Sequence, residues 1–174
     1  AGLRAGAVLP VYGLAENTLG VCFDDPAAHG ADLSWQGRHI PCVGRPLPGT
    51  EVSVLIEGAS RVSASPGVEG ELAVRRPSLM SEYFEDPTAT AAVLKDGRLR
   101  TGDLGVIQDG QLYITGRSKD LVIKAGRKFH PYDIERVAAS AVDAVPNGVA
   151  AFSSPNETTR GEDLVVMVEL RRRV

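Results

Sequence analysis

Apolar and polar positions alternate most cleanly in two stretches of the chain. In EVSVLIE, residues 51–57, Val52, Val54 and Ile56 fall on one side and Glu51, Ser53 and Leu55 on the other. A period of two predicts a half-buried strand. In VIQDGQLYITG, two β-rich runs flank Asp109-Gly110. Both central positions of a type I′ turn need positive φ, which Asp-Gly tolerates, so a hairpin is expected. Further strands are expected over 7–11, over ELAVRR at 71–76, in DLVIKAG, and in GVAAFS and EDLVVMVEL on either side of a polar loop at 153–163. The stretch 24–37 mixes Asp, Pro, Gly, Ala and His with little periodicity and reads as a surface loop. GRPLPG at 44–49 reads as a turn, and 57–70 as a turn-rich connection.

The period changes twice. DPTATAAVLKDG, 86–97, opens with Asp86 as N-cap and Pro87 at the first helical position, which predicts a short helix. A second helix starts at Pro131, with Ile134, Val137, Ala138 and Ala141 on one face. Short strands dominate before Lys119, and strand, helix, strand, strand follow it. That order predicts an α+β protein of two units, 1–118 and 119–174. The chain opens on Ala1 and stops inside a strand pattern, VVMVELRRRV, so it reads as a piece of a longer protein.

Composition narrows the function classes. With 43% hydrophobic and 24% charged residues, the 174-residue chain is ordinary for a globular protein. A net charge of −3 and 5% aromatic residues argue against nucleic-acid binding, which wants a basic surface or stacking platforms. No apolar run approaches the ~18 residues of a membrane helix, so no stable membrane insertion is expected. No charged and apolar leader opens the chain. Cys22 and Cys42, 20 apart, could pair, but no other Cys or His lies near them at metal-ligand spacing, and they read first as two reduced thiols of a cytoplasmic protein.

Three stretches carry candidate chemistry. In YGLAE, an aromatic ring at Tyr12 can stack on a purine, Gly13 lets backbone approach a ligand, and Glu16 can bind a hard cation. Taken alone, the same five residues read first as a core tyrosine and a solvated glutamate on a loop. In RTGDLG, Asp103 between two glycines can accept hydrogen bonds from the two hydroxyls of a ribose, or can cap a turn. In GRSKDLVIKAGRK, Arg117, Lys119, Lys124, Arg127 and Lys128 form a cationic run that suits phosphate or is simply a solvated face. His130 has no ligand partner nearby and reads as a packing or turn residue.

Taken in order, VYGLAE, GELAVRRPSLMSEYFEDPTAT and RTGDLGVIQDGQLYITGRSKDLVIKAGRKFHPYDIE resemble the adenylate-forming superfamily of acyl-CoA synthetases, adenylation domains and luciferases. GRKFHPYDIE, NGVAAFS and EDLVVMVELRR are most similar to its fatty-acyl-AMP ligase branch. The resemblance implies that 1–118 is the distorted barrel or sheet end of the large AMP-binding domain, and that 119–174 holds the hinge and the first part of the small domain. By resemblance, Tyr12 would stack on adenine with Gly13 beside it, and Glu16 would bind the Mg²⁺ of ATP. Asp103 would hold the ribose, Arg117 would contact ribose or phosphate, and Lys119 would be the hinge. The implied reaction joins a fatty acid to AMP, releases pyrophosphate, and passes the acyl group to the phosphopantetheine thiol of a carrier protein.

Two departures matter. The family's Ser/Thr/Gly-rich phosphate loop has no counterpart here, and none of the four lysines lies after Lys128, so the family's catalytic lysine is also absent. The expectation is that this chain alone does not complete adenylation. The AMP-ligase branch also carries an inserted segment that disfavours CoA, whereas 17–43 is only 27 residues long. An acyl-CoA synthetase using CoA is therefore the alternative, and a non-catalytic remnant that binds nucleotide or carrier protein is a third reading.

Overall fold

A computed structural model describes residues 2–4, 6–27, 30–56, 67–124, 126–156 and 161–171. The chain divides into two compact units, Ala1–Thr115 and Gly116–Val174.

The first unit is nearly all strand: β1 (Val11–Leu14), β2 (Leu19–Phe23), β3 (Leu33–Trp35), β4 (Arg38–Ile40), β5 (Arg45–Pro46), β6 (Glu51–Leu55) and β7 (Gly70–Arg75). Helix α1 (Pro87–Val93), β8 (Leu94–Lys95), β9 (Arg98–Gln108) and β10 (Gln111–Arg117) follow. The main sheet has the order β10-β9-β7-β6, with β8 on β9, and a smaller one has the order β1-β2-β5. The β9–β10 connection is the expected Asp-Gly turn, with φ of 53° at Asp109 and 76° at Gly110. Tyr12, Val21, Cys22, Val43, Val54, Leu72, Val74 and Leu112 make one buried cluster. Ile40, Cys42 and Tyr113 make another, flanked by Leu33 and Trp35. Both cysteines are free and fully buried.

Several sequence readings need correction. Residues 7–10 form no strand, and Val8 is 76% exposed; the strand begins at Val11 and its inward residue is Tyr12. The supposed loop 24–37 contains β3 and the start of the β3–β4 hairpin, turned by Gln36 and Gly37 at positive φ. Asp24 inside it is buried. Helix 86–97 ends at Val93, because Asp96 and Gly97 adopt φ of 52° and 70° and turn β8 back onto β9. Asp86 does cap that helix, accepting from the Ala89 amide at 2.8 Å. In β6 both Ser53 and Val54 are buried, so the strand is covered on two faces rather than one. The turn-rich reading at 57–66 lies outside the described residues.

The second unit begins within β10 and contains β11 (Val122–Lys124), β12 (Arg127–Phe129), α2 (Pro131–Ala141), β13 (Ala144–Asn156) and β14 (Gly161–Leu170). β11 pairs with β12, and β13 with β14, both antiparallel. Helix α2 packs on β13, where Glu135 accepts a hydrogen bond from the Ala151 amide at 3.0 Å. Its apolar face is only partly covered: Ile134 is half-buried but Val137 is 62% exposed. Of the expected polar loop 153–163, residues 153–156 and 161–163 are strand, and 157–160 lie outside the described residues. His130 is buried as the residue before α2, and a side chain at Gly116 would collide with its Nδ1. Among the described residues no helix is long and apolar enough to cross a membrane.

Candidate nucleotide site

Two interruptions of strand register build the first half of the site. Between β1 and β2, Tyr12 pairs with Cys22 but Gly13 pairs with Gly20, so β2 carries one extra residue. Gly13 is obligatory there. A Cβ on it would lie 2.0 Å from the Leu19 carbonyl oxygen, a backbone atom that cannot step aside. Beyond Gly13 the chain turns through a 3₁₀ segment, Ala15–Asn17, and through Thr18 and Leu19 at φ of 57° and 88°. Positive φ at two successive side-chain-bearing residues is costly and persists only where surrounding contacts enforce it. Here Asn17, fully buried, donates to the Gly20 carbonyl at 2.8 Å, and Thr18 donates to the Ser78 carbonyl at 3.0 Å.

The second interruption lies on β9. Ala73 pairs with Arg100 and Glu71 with Leu104, so Thr101, Gly102 and Asp103 together stand opposite Leu72. Bulges of this kind re-aim side chains and recur beside functional sites. Gly102 supplies the positive φ, 74°. Thr101 donates to the Leu72 carbonyl at 3.0 Å, and its oxygen accepts from the Asp103 amide at 3.1 Å. Glu71 accepts from the Gly102 amide at 3.2 Å.

These two irregularities meet. The Tyr12 hydroxyl donates to Oδ2 of Asp103 at 2.7 Å, across 91 residues of sequence. The Tyr12 ring sits in the core, 8% exposed, while Asp103 is half-buried. Burial pushes the Tyr12 phenol well above the ordinary tyrosine range; Thr101 opposes the shift and the Asp103 carboxylate adds to it. The hydroxyl therefore stays protonated and acts as a donor. A carboxylate has about four acceptor sites, more than a single phenol occupies.

Glu16 is held from two sides. Its Oε1 accepts from the Tyr83 hydroxyl at 2.7 Å, and its carbonyl accepts from the Met80 amide at 2.7 Å. The bond from its own hydroxyl to the Glu16 carboxylate is the main cause of a raised Tyr83 phenol pKa. Glu16 is half-buried, so the carboxylate is fixed without being sealed. Among the described residues no three His, Cys, Asp or Glu side chains form a ready metal cage. A lone oriented carboxylate nevertheless fits magnesium, which binds through one or two carboxylates plus substrate phosphates.

Of the residues singled out from sequence, the first unit thus brings Tyr12 and Asp103 into direct contact, with Gly13 and Glu16 in the adjoining strand and turn. Arg117 and Lys119 belong to the second unit and are exposed, Lys119 in the 3₁₀ segment Ser118–Asp120. Sequence reading missed Tyr83, Met80 and Thr101. Tyr83 lies in a stretch that resembles the family but carries no chemistry of its own in one dimension.

A model of the family described as AMP-binding enzyme matches residues 2–84. A putative acyl-CoA synthetase of Caulobacter vibrioides is 37% identical over 98% of this chain and 28% of its own length. The long-chain-fatty-acid–AMP ligase FadD26 of Mycobacterium tuberculosis is 35% identical over 98% of this chain and 33% of its own. Among solved structures, one from a study of fatty acyl-adenylate ligases of E. coli and L. pneumophila superposes with a TM-score of 0.75 at 31% identity, covering 98% of this chain and 33% of that one. The O-succinylbenzoate coenzyme A synthetase of Bacillus subtilis, in complex with ATP and magnesium ion, gives 0.70 at 25% identity over 95% and 32%. This chain spans a third or less of each of these proteins. The strand-rich fold of the adenylation-domain structures is the fold seen here.

Proposed function

The chain belongs to the adenylate-forming superfamily of AMP-binding enzymes, and on that premise we propose that its full-length protein activates a fatty acid as an acyl-adenylate. The observation that carries the reading is the Tyr12–Asp103 hydrogen bond, which joins two distant stretches at one half-buried carboxylate. On this reading Asp103 accepts the ribose hydroxyls and Tyr12 with Gly13 borders the adenine. Glu16 holds magnesium, which would neutralise phosphate charge. Arg117 contacts ribose or phosphate and Lys119 is the pivot of the small domain. The fatty-acid carboxylate attacks the α-phosphorus of ATP in line, the bond to the β-phosphate oxygen breaks, and pyrophosphate leaves. Such chemistry depends on positioning and charge neutralisation. The thiol of a carrier-protein phosphopantetheine then attacks the acyl carbonyl, the acyl–phosphate bond breaks, and AMP and the thiol proton leave. We place the reaction in the cytoplasm, consistent with two reduced, buried thiols.

One observation favours CoA as the acceptor instead. The alignment with the AMP ligase runs to 200 positions, whereas that with the Caulobacter protein needs 173 for the same share of this chain. The AMP ligase therefore carries residues with no counterpart here.

The test is fatty-acid-dependent ATP–pyrophosphate exchange by the full-length protein, followed by acyl transfer to a holo carrier protein and to CoA. Exchange that needs a fatty acid is expected. Asp103→Ala should weaken ATP binding by about 1.5–3 kcal/mol, the range for hydrogen bonds to a charged group. Exchange indifferent to every fatty acid, or an Asp103→Ala protein that binds ATP like the parent, would refute the assignment. Transfer to CoA alone would select the second reading.

A further inference from the structure

We propose that Tyr83 is a positioning residue that sets the Glu16 carboxylate for the magnesium of the ATP complex, an inference that rests on the role given to Glu16 above. Hydrogen bonds with Arg76, Ser78, Met80 and Tyr83 hold this one turn. Arg76 donates to the Gly20 carbonyl at 2.7 Å, Ser78 receives the Thr18 hydroxyl on its carbonyl, the Met80 amide holds the Glu16 carbonyl, and the Tyr83 hydroxyl holds Glu16 Oε1. Residues 76–83 therefore clamp the 16–20 turn at both ends, and Tyr83 is the only one of these four that touches the carboxylate itself. Tyr83 is in turn anchored on α1. Its amide donates to the Thr90 hydroxyl oxygen at 2.9 Å, and that hydroxyl donates to the Asp86 carbonyl at 2.8 Å.

The chemistry suits a metal-facing role. A neutral phenol engages one carboxylate oxygen without adding a counter-charge, and so fixes the orientation of the group. A lysine in its place would compete with a cation, and a phenylalanine would release a long side chain to its free rotamers. Partners of this kind fix a ligand's geometry, and their loss costs 10–100-fold in metal affinity.

The experiment is calorimetric titration of the full-length protein with ATP, in magnesium and in EDTA, for the parent, Tyr83→Phe, Glu16→Gln and Phe84→Ala. Circular dichroism checks that each variant folds. Because Tyr83 is part-exposed, Tyr83→Phe should lose about tenfold in affinity for magnesium-ATP, the low end of that range, with metal-free ATP binding unchanged. Glu16→Gln should lose at least as much, and Phe84→Ala, whose ring is 88% exposed, should match the parent. Parental magnesium-ATP affinity in Tyr83→Phe beside a clear loss in Glu16→Gln overturns the positioning role while leaving Glu16 as ligand. An equal loss with and without magnesium also overturns it, since the effect is then not exerted through the metal. Parental behaviour in Glu16→Gln removes the metal role of Glu16, and the proposal with it. A parent that binds no ATP overturns the nucleotide reading itself.

Discussion

Replacing Tyr12 by phenylalanine removes one oxygen and leaves the ring that packs with Val21, Cys22, Leu72 and Val74. The lost hydroxyl donates to a carboxylate at 2.7 Å in a part-buried setting, so the variant should be less stable by about 1.5–3 kcal/mol at neutral pH. The pH dependence makes the prediction specific. Burial and Asp103 raise the folded phenol's pKa, whereas the unfolded chain keeps the ordinary value of about 10. Below that value the parent holds its full advantage. Above it the unfolded phenol releases a proton that the folded one retains, so stability falls as pH rises. At pH 11 this removes about 1.4 kcal/mol from the parent and nothing from the variant. Urea unfolding at pH 8 and pH 11 therefore should show the gap between the two proteins shrinking by roughly that amount. The titration of Cys22 occurs in both and cancels. A gap that stays constant, or a variant as stable as the parent at pH 8, would refute the buried phenol–carboxylate contact.

Gly13→Ala should cost more than about 3 kcal/mol or prevent folding, because its Cβ meets a backbone oxygen at 2.0 Å; Gly37→Ala, in open space at φ of 77°, should cost about 1–2 kcal/mol. Thermal unfolding of the two variants checks the contrast. A thiol reagent at pH 8 should label neither cysteine in the folded protein and both after denaturation. Both are fully buried, and burial, with Cys42 adding, pushes the Cys22 thiol up to about 12. Rapid labelling without denaturant would contradict this.

Local chemistry explains which elements were legible in one dimension. Asp109-Gly110 and Asp86-Pro87 act through their own backbone preferences, so hairpin and helix start appeared where expected. Asp96-Gly97 carries the same turn signal as Asp109-Gly110, yet the helical pattern before it concealed a two-residue strand, β8, that exists only by pairing with β9. The β3–β4 hairpin was hidden for a related reason. Its strands are three residues long, too short to show alternation. The 7–11 run is apolar in composition without being buried: the inward residue is Tyr12, and Val8 faces solvent.

The site divides along the same line. Tyr12, Glu16 and Asp103 could be proposed from residue type and spacing because each carries a group able to meet a nucleotide. The residues that aim them could not. Tyr83 meets Glu16 across 67 positions and Tyr12 meets Asp103 across 91, distances over which no periodicity survives. The bulges that turn Asp103 and Gly13 out of register are likewise properties of paired strands, not of either strand alone. Yet Gly102 at φ of 74° and Gly13 beneath the Leu19 carbonyl are what let those bulges form. The glycines beside the site are thus the trace that its three-dimensional construction leaves in the sequence, since a Cβ at Gly13 would meet backbone and the positive φ of Gly102 favours a residue without one. A glycine next to a candidate ligand therefore says more about how a site is built than the ligand residue itself does.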